Sequence, residues 1–246
     1  MLKLTYNTKD TDSYLVPMGD FHIGDNNFAE EKLVDYVNWI KAHENAYTIL
    51  MGDIFETPEK LSKASDLWEL CMKPEDCVNK AVEVLTPIAS RILGVVHGNH
   101  EDRMYKKFGT TQLNELLPRL GITNKIMSHD ALILNWRVGE ITYVVYALHG
   151  WGGARLTGGQ LNKSEQMGDV VRDADVFLTG HEHTLFMSRW DSDLIKDDME
   201  LRQVHVGCGC FCRYTKFQEG IARRKPNVGA PRIRFNGSRR DVHVSI

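Results

Sequence analysis

No run in this 246-residue chain is long and apolar enough to cross a bilayer, and the opening MLKLTYNTKD lacks the apolar core of a signal peptide. Both absences point to a cytoplasmic protein with no membrane partner. Cysteine is scarce and odd in number: Cys71, Cys77, Cys208, Cys210 and Cys212 fall far short of a disulfide scaffold. No disulfide is expected, and a reducing compartment suits them. Charge of one sign is lacking too, for the formal net charge is only -3, which excludes an overall pull toward nucleic acid or membrane. There is no internal repeat and no low-complexity segment. With 42% hydrophobic and 26% charged residues the chain has an ordinary globular composition, and its length suits one α/β domain over residues 1–246.

What the chain does have is five apolar runs that each end in metal-type ligands. YLVPMGDFH closes on Asp20 and His22, YTILMGD on Asp53, ILGVVHGNH on Asn99 and His100, TYVVYALH on His149, and ADVFLTGHEH on His181 and His183. Short runs rich in Val, Ile, Leu and Tyr read as buried strands. Open α/β sheets place their ligands at the carboxyl ends of strands, so five such ends can converge on one point. Carboxylate, amide oxygen and imidazole suit divalent first-row metals, and the set has no thiolate. The ligand count fits two ions rather than one.

The connecting segments set the expected organisation. Leu33, Val34, Val37 and Ile40 recur at helical spacing between Phe28 and His43, which predicts an amphipathic helix and a parallel βαβ unit. A helical excursion near 54–91, with helices near 60–72 and 75–90 broken by Pro58, Pro74 and Pro87, should form a layer or lid. A further helix from Thr110 to Leu117 should stop at Pro118. Beyond it, 131–137 with 141–148 and 183–190 with 201–207 read as strand pairs, and PRIRF, NGS, DVHVSI as a final hairpin in a basic, strand-rich extension from about 213.

Spacing adds chemistry. Asp20 and His22 stand two apart and point to one side of an extended strand end. Gly98 lets the backbone bend so that Asn99 and His100 face inward. In His181-Glu182-His183 both rings can reach a binuclear centre from one side. In this order the blocks resemble the calcineurin-like metallophosphoesterases, whose signature is Asp-x-His, Gly-Asp, Gly-Asn-His-Glu/Asp, a His, then Gly-His-x-His; the resemblance spans roughly residues 14–185. It implies a four-layer α/β/β/α sandwich with mixed sheets. It also implies that Asp20, His22 and His183 hold one metal, that Asn99, His149 and His181 hold a second, and that Asp53 bridges them. His100 is then the catalytic residue, a general acid or transition-state stabiliser beside the scissile phosphate, and not a ligand. The implied reaction is phosphoester hydrolysis by a metal-bridging hydroxide on two divalent ions, manganese first, with iron or zinc as alternatives.

Some features depart from that pattern. Asp53 is followed by Ile54, Phe55 and Glu56, so the Asp-Arg-Gly element of protein serine/threonine phosphatases is missing. Arg103 can substitute that charge at the phosphate or be an exposed helix-start arginine. In His149-Gly-Trp-Gly-Gly-Ala-Arg155, Trp151 can stack on a base and Arg155 meet phosphate, or the stretch is a glycine-rich turn with a core tryptophan. The nine basic residues after position 212 are either a phosphate-backbone footprint or a solvated surface. Cys208, Cys210 and Cys212 read as small buried side chains ahead of an extra metal site. The leading expectation is a phosphodiesterase on a phosphoester substrate, nucleic acid or nucleotide. A phosphomonoesterase on metabolites or phosphoproteins is the alternative, and a non-catalytic scaffold is the reading from another class.

Overall fold

The computed structural model describes residues 1–57, 71–154, 156–220 and 223–246. In chain order, β1 (Leu2–Thr8) and β2 (Asp12–Leu15) are followed by α1 (Glu30–Ala42), β3 (Ala46–Leu50), α2 (Pro74–Leu85), β4 (Ile92–Val96), α3 (Asn99–Phe108), α4 (Leu113–Arg119) and β5 (Met127–Ser128). Next come β6 (Ala131–Val138), β7 (Ile141–Leu148), α5 (Thr157–Val170), β8 (Val176–Thr179), β9 (Leu185–Lys196), β10 (Met199–Cys208), α6 (Lys216–Gly220), β11 (Arg232–Asn236) and β12 (Val242–Ser245).

The strands form two six-stranded sheets, in the orders β1-β6-β7-β8-β10-β9 and β12-β11-β2-β3-β4-β5. Both are mixed: β7 and β8 are parallel while β6 and β7 are antiparallel, and β2, β3 and β4 are parallel while β11 and β2 are antiparallel. Alternation along β6 shows how the layers are made. Leu132, Leu134, Trp136 and Val138 face Ile49, Leu93, Val96 and Phe235 of the other sheet, whereas Ala131 and Ile133 face outward onto Met167 and Val171 beside α5. Burying each large inward side chain contributes about 1.5–3 kcal/mol. The outer face of the second sheet is covered by Leu33, Val37 and Ile40 of α1, Val78 and Ala81 of α2, and Leu116 and Leu117 of α4. The result is the expected four-layer α/β/β/α sandwich.

Several boundaries differ from expectation. The helix near 60–72 falls largely on 58–70, outside the described residues. The helix expected over 75–90 is α2 to Leu85 and then a 3-10 turn over Thr86–Arg91. Helix α4 runs past Pro118 to Arg119, because proline's own φ is helical, at the cost of the hydrogen bond that an N–H at 118 would make to Asn114 O. Helix α3 begins directly at Asn99, ahead of the helix start that one reading of Arg103 gave, and β1 and α5 were not expected at all. The hairpin expected near 183–207 is longer, with Asp197 and Asp198 in the left-handed conformation between β9 and β10. The closing hairpin is as expected, and β11 joins the second sheet beside β2.

Candidate metal centre

The carboxyl ends of β2, β3, β4, β7 and β8 meet on one rim, stitched together by their own backbones. Asp20 N–H donates to Gly52 O at 2.8 Å and Gly180 N–H to His149 O at 2.8 Å. His149 Nδ1 lies 2.6 Å from Met51 O and so ties one sheet to the other. The loops touch so closely that only glycine fits between them. A Cβ on Gly98 would sit 2.1 Å from Asp53 Oδ1, and one on Gly52, at φ +85°, would sit 2.4 Å from Gly98 N.

Five residues of this rim carry left-handed backbones without being glycine: Asp20, His22, Asp53, His181 and His183, at φ 50, 52, 48, 68 and 54°. Such conformations cost about 1–3 kcal/mol each and persist only where the surroundings overdetermine them. Here they turn every one of these side chains inward.

The inward atoms fall into two sets. Asp20 Oδ1 lies 3.2 Å from His183 Nε2 and 4.0 Å from His22 Nε2, and the two Nε2 atoms are 3.2 Å apart. Asp53 Oδ2 lies 3.3 Å from His149 Nε2, which is itself 3.3 Å from Asn99 Oδ1. The same Asn99 amide atom is 2.7 Å from His181 Nδ1 and 3.2 Å from Asp53 Oδ2. Asp53 also groups with His22 and His100, so it stands between the sets. The structure therefore brings together all seven residues expected as ligands, with His100 beside them.

The tautomers leave lone pairs facing one another. Met51 O takes the Nδ1 proton of His149, and Glu56 Oε2, 2.9 Å from His22 Nδ1, takes that of His22, so both Nε2 atoms point bare into the centre. His181 Nε2 is held by Gly152 O, leaving Nδ1 inward. Asp20 Oδ1 is fully buried without a hydrogen-bond partner. A cluster of acceptors at these separations requires positive charge, and the donor set fits divalent metal ions.

Electrostatics agree. Burial opposes charging His149, yet Asp53 and Asp20 push its pKa up to about 10; His183 and His22 also rise against burial, through Cys210 with Asp20 and through Glu56 respectively. Burial likewise opposes charge on Asp53, but His149 and His100 hold it well below the usual carboxylate range. Protons on the imidazoles stand where metal charge would.

His100 behaves differently. It is 8% exposed, and burial pulls its pKa down to about 4 against the opposing charge of Asp53 and Glu56. Thr57 N–H donates to its Nδ1 at 3.3 Å, which puts the ring proton on Nε2, 3.9 Å from Asp53 Oδ2. The neutral imidazole is then a donor at Nε2.

Of the other expected residues, Arg103 is on the wall of the same cavity, of about 170 Å³, and its guanidinium lies 2.8 Å from the Asn99 amide. Trp151 is 41% exposed, so it is not a core tryptophan, and its loop holds His181 through Gly152. Arg155 lies outside the described residues. Sequence reading missed two carboxylates. Glu56 is shared by His22 and His100, with Oε1 3.4 Å from His100 Nδ1. Glu101, 1% exposed, accepts from Asp53 N–H and Gly98 N–H at 2.8 and 2.9 Å through Oε2 and from Ile54 N–H at 2.9 Å through Oε1. Its place as third residue of α3, where a glutamate reaches back to the helix start, was the available signal. The three C-terminal cysteines are all buried thiols, as read.

No protein-family model matches the chain, and no curated protein sequence is similar to it. Solved structures of similar shape include the NAD nucleotidase of Haemophilus influenzae, at 12% identity and a TM-score of 0.49, covering 96% of this chain and 49% of that one. The calcineurin-like phosphoesterase YfkN of Bacillus subtilis is 10% identical with a TM-score of 0.45, covering 96% and 90%. GAP50, the anchor in the inner membrane complex of Plasmodium, is 8% identical with a TM-score of 0.49, covering 96% and 88%. Likeness this faint leaves the chemistry to the chain's own residues. Among the described residues no helix is long and apolar enough to cross a membrane.

Proposed function

We propose that the protein is a metallophosphoesterase of the calcineurin-like type that hydrolyses phosphodiester bonds at a binuclear centre. The observation that carries this reading is the pair of acceptor-only donor sets joined at Asp53, with His100 on the same cavity wall. Asp20, His22 and His183 would hold one ion, Asn99, His149 and His181 the other, and Asp53 both. When bound, two divalent ions supply an activated water and the charge that neutralises phosphoryl oxygens.

The chain's own residues do the rest. Glu56 and Met51 O orient His22 and His149, and Glu101 holds the backbone of Asp53 in place. His100 Nε2–H donates to the oxygen on which charge develops, a task that needs a fixed donor rather than an imidazolium. Arg103 binds a non-bridging phosphoryl oxygen.

A diester with further phosphates is favoured by the basic edge of the site. Four of the nine basic residues after position 212 pair with carboxylates elsewhere: Arg213 with Glu31, Arg240 with Asp175 and Asp197, and Arg234 and Arg239 with Asp241. Arg223, Arg224 and Lys225 line a second cavity of about 270 Å³ that shares His183, Gln218 and Arg223 with the first; Glu182 on its wall pairs with Arg223 at 2.8 Å, which leaves Arg224 and Lys225 as its positive charge. Short nucleic acid or a nucleotide suits that charge.

The experiment is a substrate panel. Chelated protein should be inactive on bis-p-nitrophenyl phosphate, and manganese should restore turnover. Activity on p-nitrophenyl phosphate alone would make it a phosphomonoesterase, and activity on neither would leave the scaffold reading. Oligonucleotides of DNA and RNA then define the substrate.

A further inference from the structure

Apart from that cluster, three more donors meet. His97 Nδ1 lies 3.1 Å from His129 Nδ1 and 3.4 Å from Asp102 Oδ1. They come from the residue after β4, the first turn of α3 and the turn after β5, and their donor atoms all lie within 4.8 Å of one another. Metal–ligand bonds of 2.0–2.1 Å in a tetrahedral zinc site put neighbouring donor atoms about 3.3–3.4 Å apart.

We propose that His97, Asp102 and His129 form a separate site for one divalent transition-metal ion, zinc above all, with its fourth position open to water. Hydrogen bonding satisfies these groups poorly. His97 Nδ1 carries one proton at most, to be divided between an imidazole nitrogen and a carboxylate at 3.4 Å, which is long for an N–H···O bond. The other ring nitrogen of His97 is buried without a partner, so no second contact compensates. A cation satisfies the three inward lone pairs together.

Access and consequence both fit. His97 is buried, while Asp102 is 39% exposed at its side chain and His129 is exposed, so an ion enters from solvent. In sequence His97 and Asp102 bracket Asn99, His100 and Glu101. An ion held between them and His129 ties the end of β5 to the start of α3 and stiffens the segment that carries those three residues.

The test counts ions and needs no turnover, so it stands whether or not the protein is a phosphoesterase. Wild type, His129→Ala and Asp102→Asn are stripped with chelator, dialysed against micromolar zinc, and zinc per folded chain is measured by plasma mass spectrometry. Wild type is expected to hold one ion more than either variant, and zinc should raise its melting temperature further than theirs. Equal counts in wild type and either folded variant overturn the proposal. Both substitutions fall on solvent-facing side chains, so folding of at least one is expected.

Discussion

Glu56 holds His22 by a 2.9 Å contact from its Oε2 to the ring Nδ1, and that contact decides which nitrogen of His22 faces Asp20 and His183. The carboxylate is 7% exposed at its side chain, and His22 holds its pKa below the ordinary value despite burial, so it is charged at neutral pH. Glu56→Gln keeps the shape but weakens the acceptor. Manganese affinity should fall by about 10–100-fold, the usual cost of losing a partner behind a ligating histidine. Calorimetric titration reads it; unchanged affinity would show that His22 needs no such partner.

His100→Ala should leave metal stoichiometry as in wild type while diester turnover falls by about 10²–10³-fold, the cost of one preorganised donor. Metal counting together with kcat separates this role from ligation. A variant that loses an ion would make His100 a ligand instead.

Removing metal should change how stability depends on pH. In chelated protein the folded pKa of His149 is about 10 against an ordinary 6.5, and His183 is raised as well. Groups raised on folding stabilise fully below their unfolded pKa, and that contribution is lost as pH rises toward the folded value. The chelated protein should therefore melt at falling temperature between about pH 7 and 9. Histidines lowered on folding, His100 among them, have already given their full contribution above 6.5 and do not reverse the trend. Metal displaces the protons, so its binding should release them and tighten as pH rises. Titrations in two buffers of different ionisation enthalpy count the protons; zero release would contradict the raised imidazoles.

Gly98→Ala tests the packing of the two central loops. Its Cβ would meet Asp53 Oδ1 at 2.1 Å and Asp53 N at 2.3 Å, both parts of a buried, hydrogen-bonded loop that cannot yield cheaply. Overpacking of this kind costs about 1–3 kcal/mol or more. A melting curve should show the loss, and metal titration should show a weakened centre, because Asp53 is what moves. Wild-type values in both would mean the loops are looser than they are here.

Glu101→Gln puts an amide where three backbone N–H groups converge. At least one of the contacts from Asp53, Ile54 and Gly98 is lost, and each charge-assisted bond is worth about 1.5–3 kcal/mol. Urea unfolding of the metal-free protein should show a deficit of that order. Retained stability would mean that the buried carboxyl, whose pKa burial and Asp53 raise, is already neutral in the fold.

The gathering of these donors was legible in the chain because each ends an apolar run, and a buried strand can only end where its side chains leave the core. Asp53, His149 and the His181–His183 pair follow that rule, and the two strand-like runs 131–137 and 141–148 gave the hairpin. Helix α3 was hidden because its face is polar and its capping carboxylate, Glu101, is spent on loops rather than on solvent. Glu56 was visible only as a missing arginine, since its partners lie 34 and 44 positions away in the chain.

Local order in the chain thus determined that acceptors would gather at strand ends, and it determined their chemistry, since residue types carry their own lone pairs and charges. Three matters belonged to the tertiary structure alone. It set which nitrogen each imidazole turns inward, because the hydrogen bond that chooses it comes from a distant backbone carbonyl or carboxylate. It set the protonation of His100, because burial outweighs the carboxylates nearby. And it separated Arg224 and Lys225 from Arg213, Arg223 and Arg240, because only folding shows which charges have already met carboxylates.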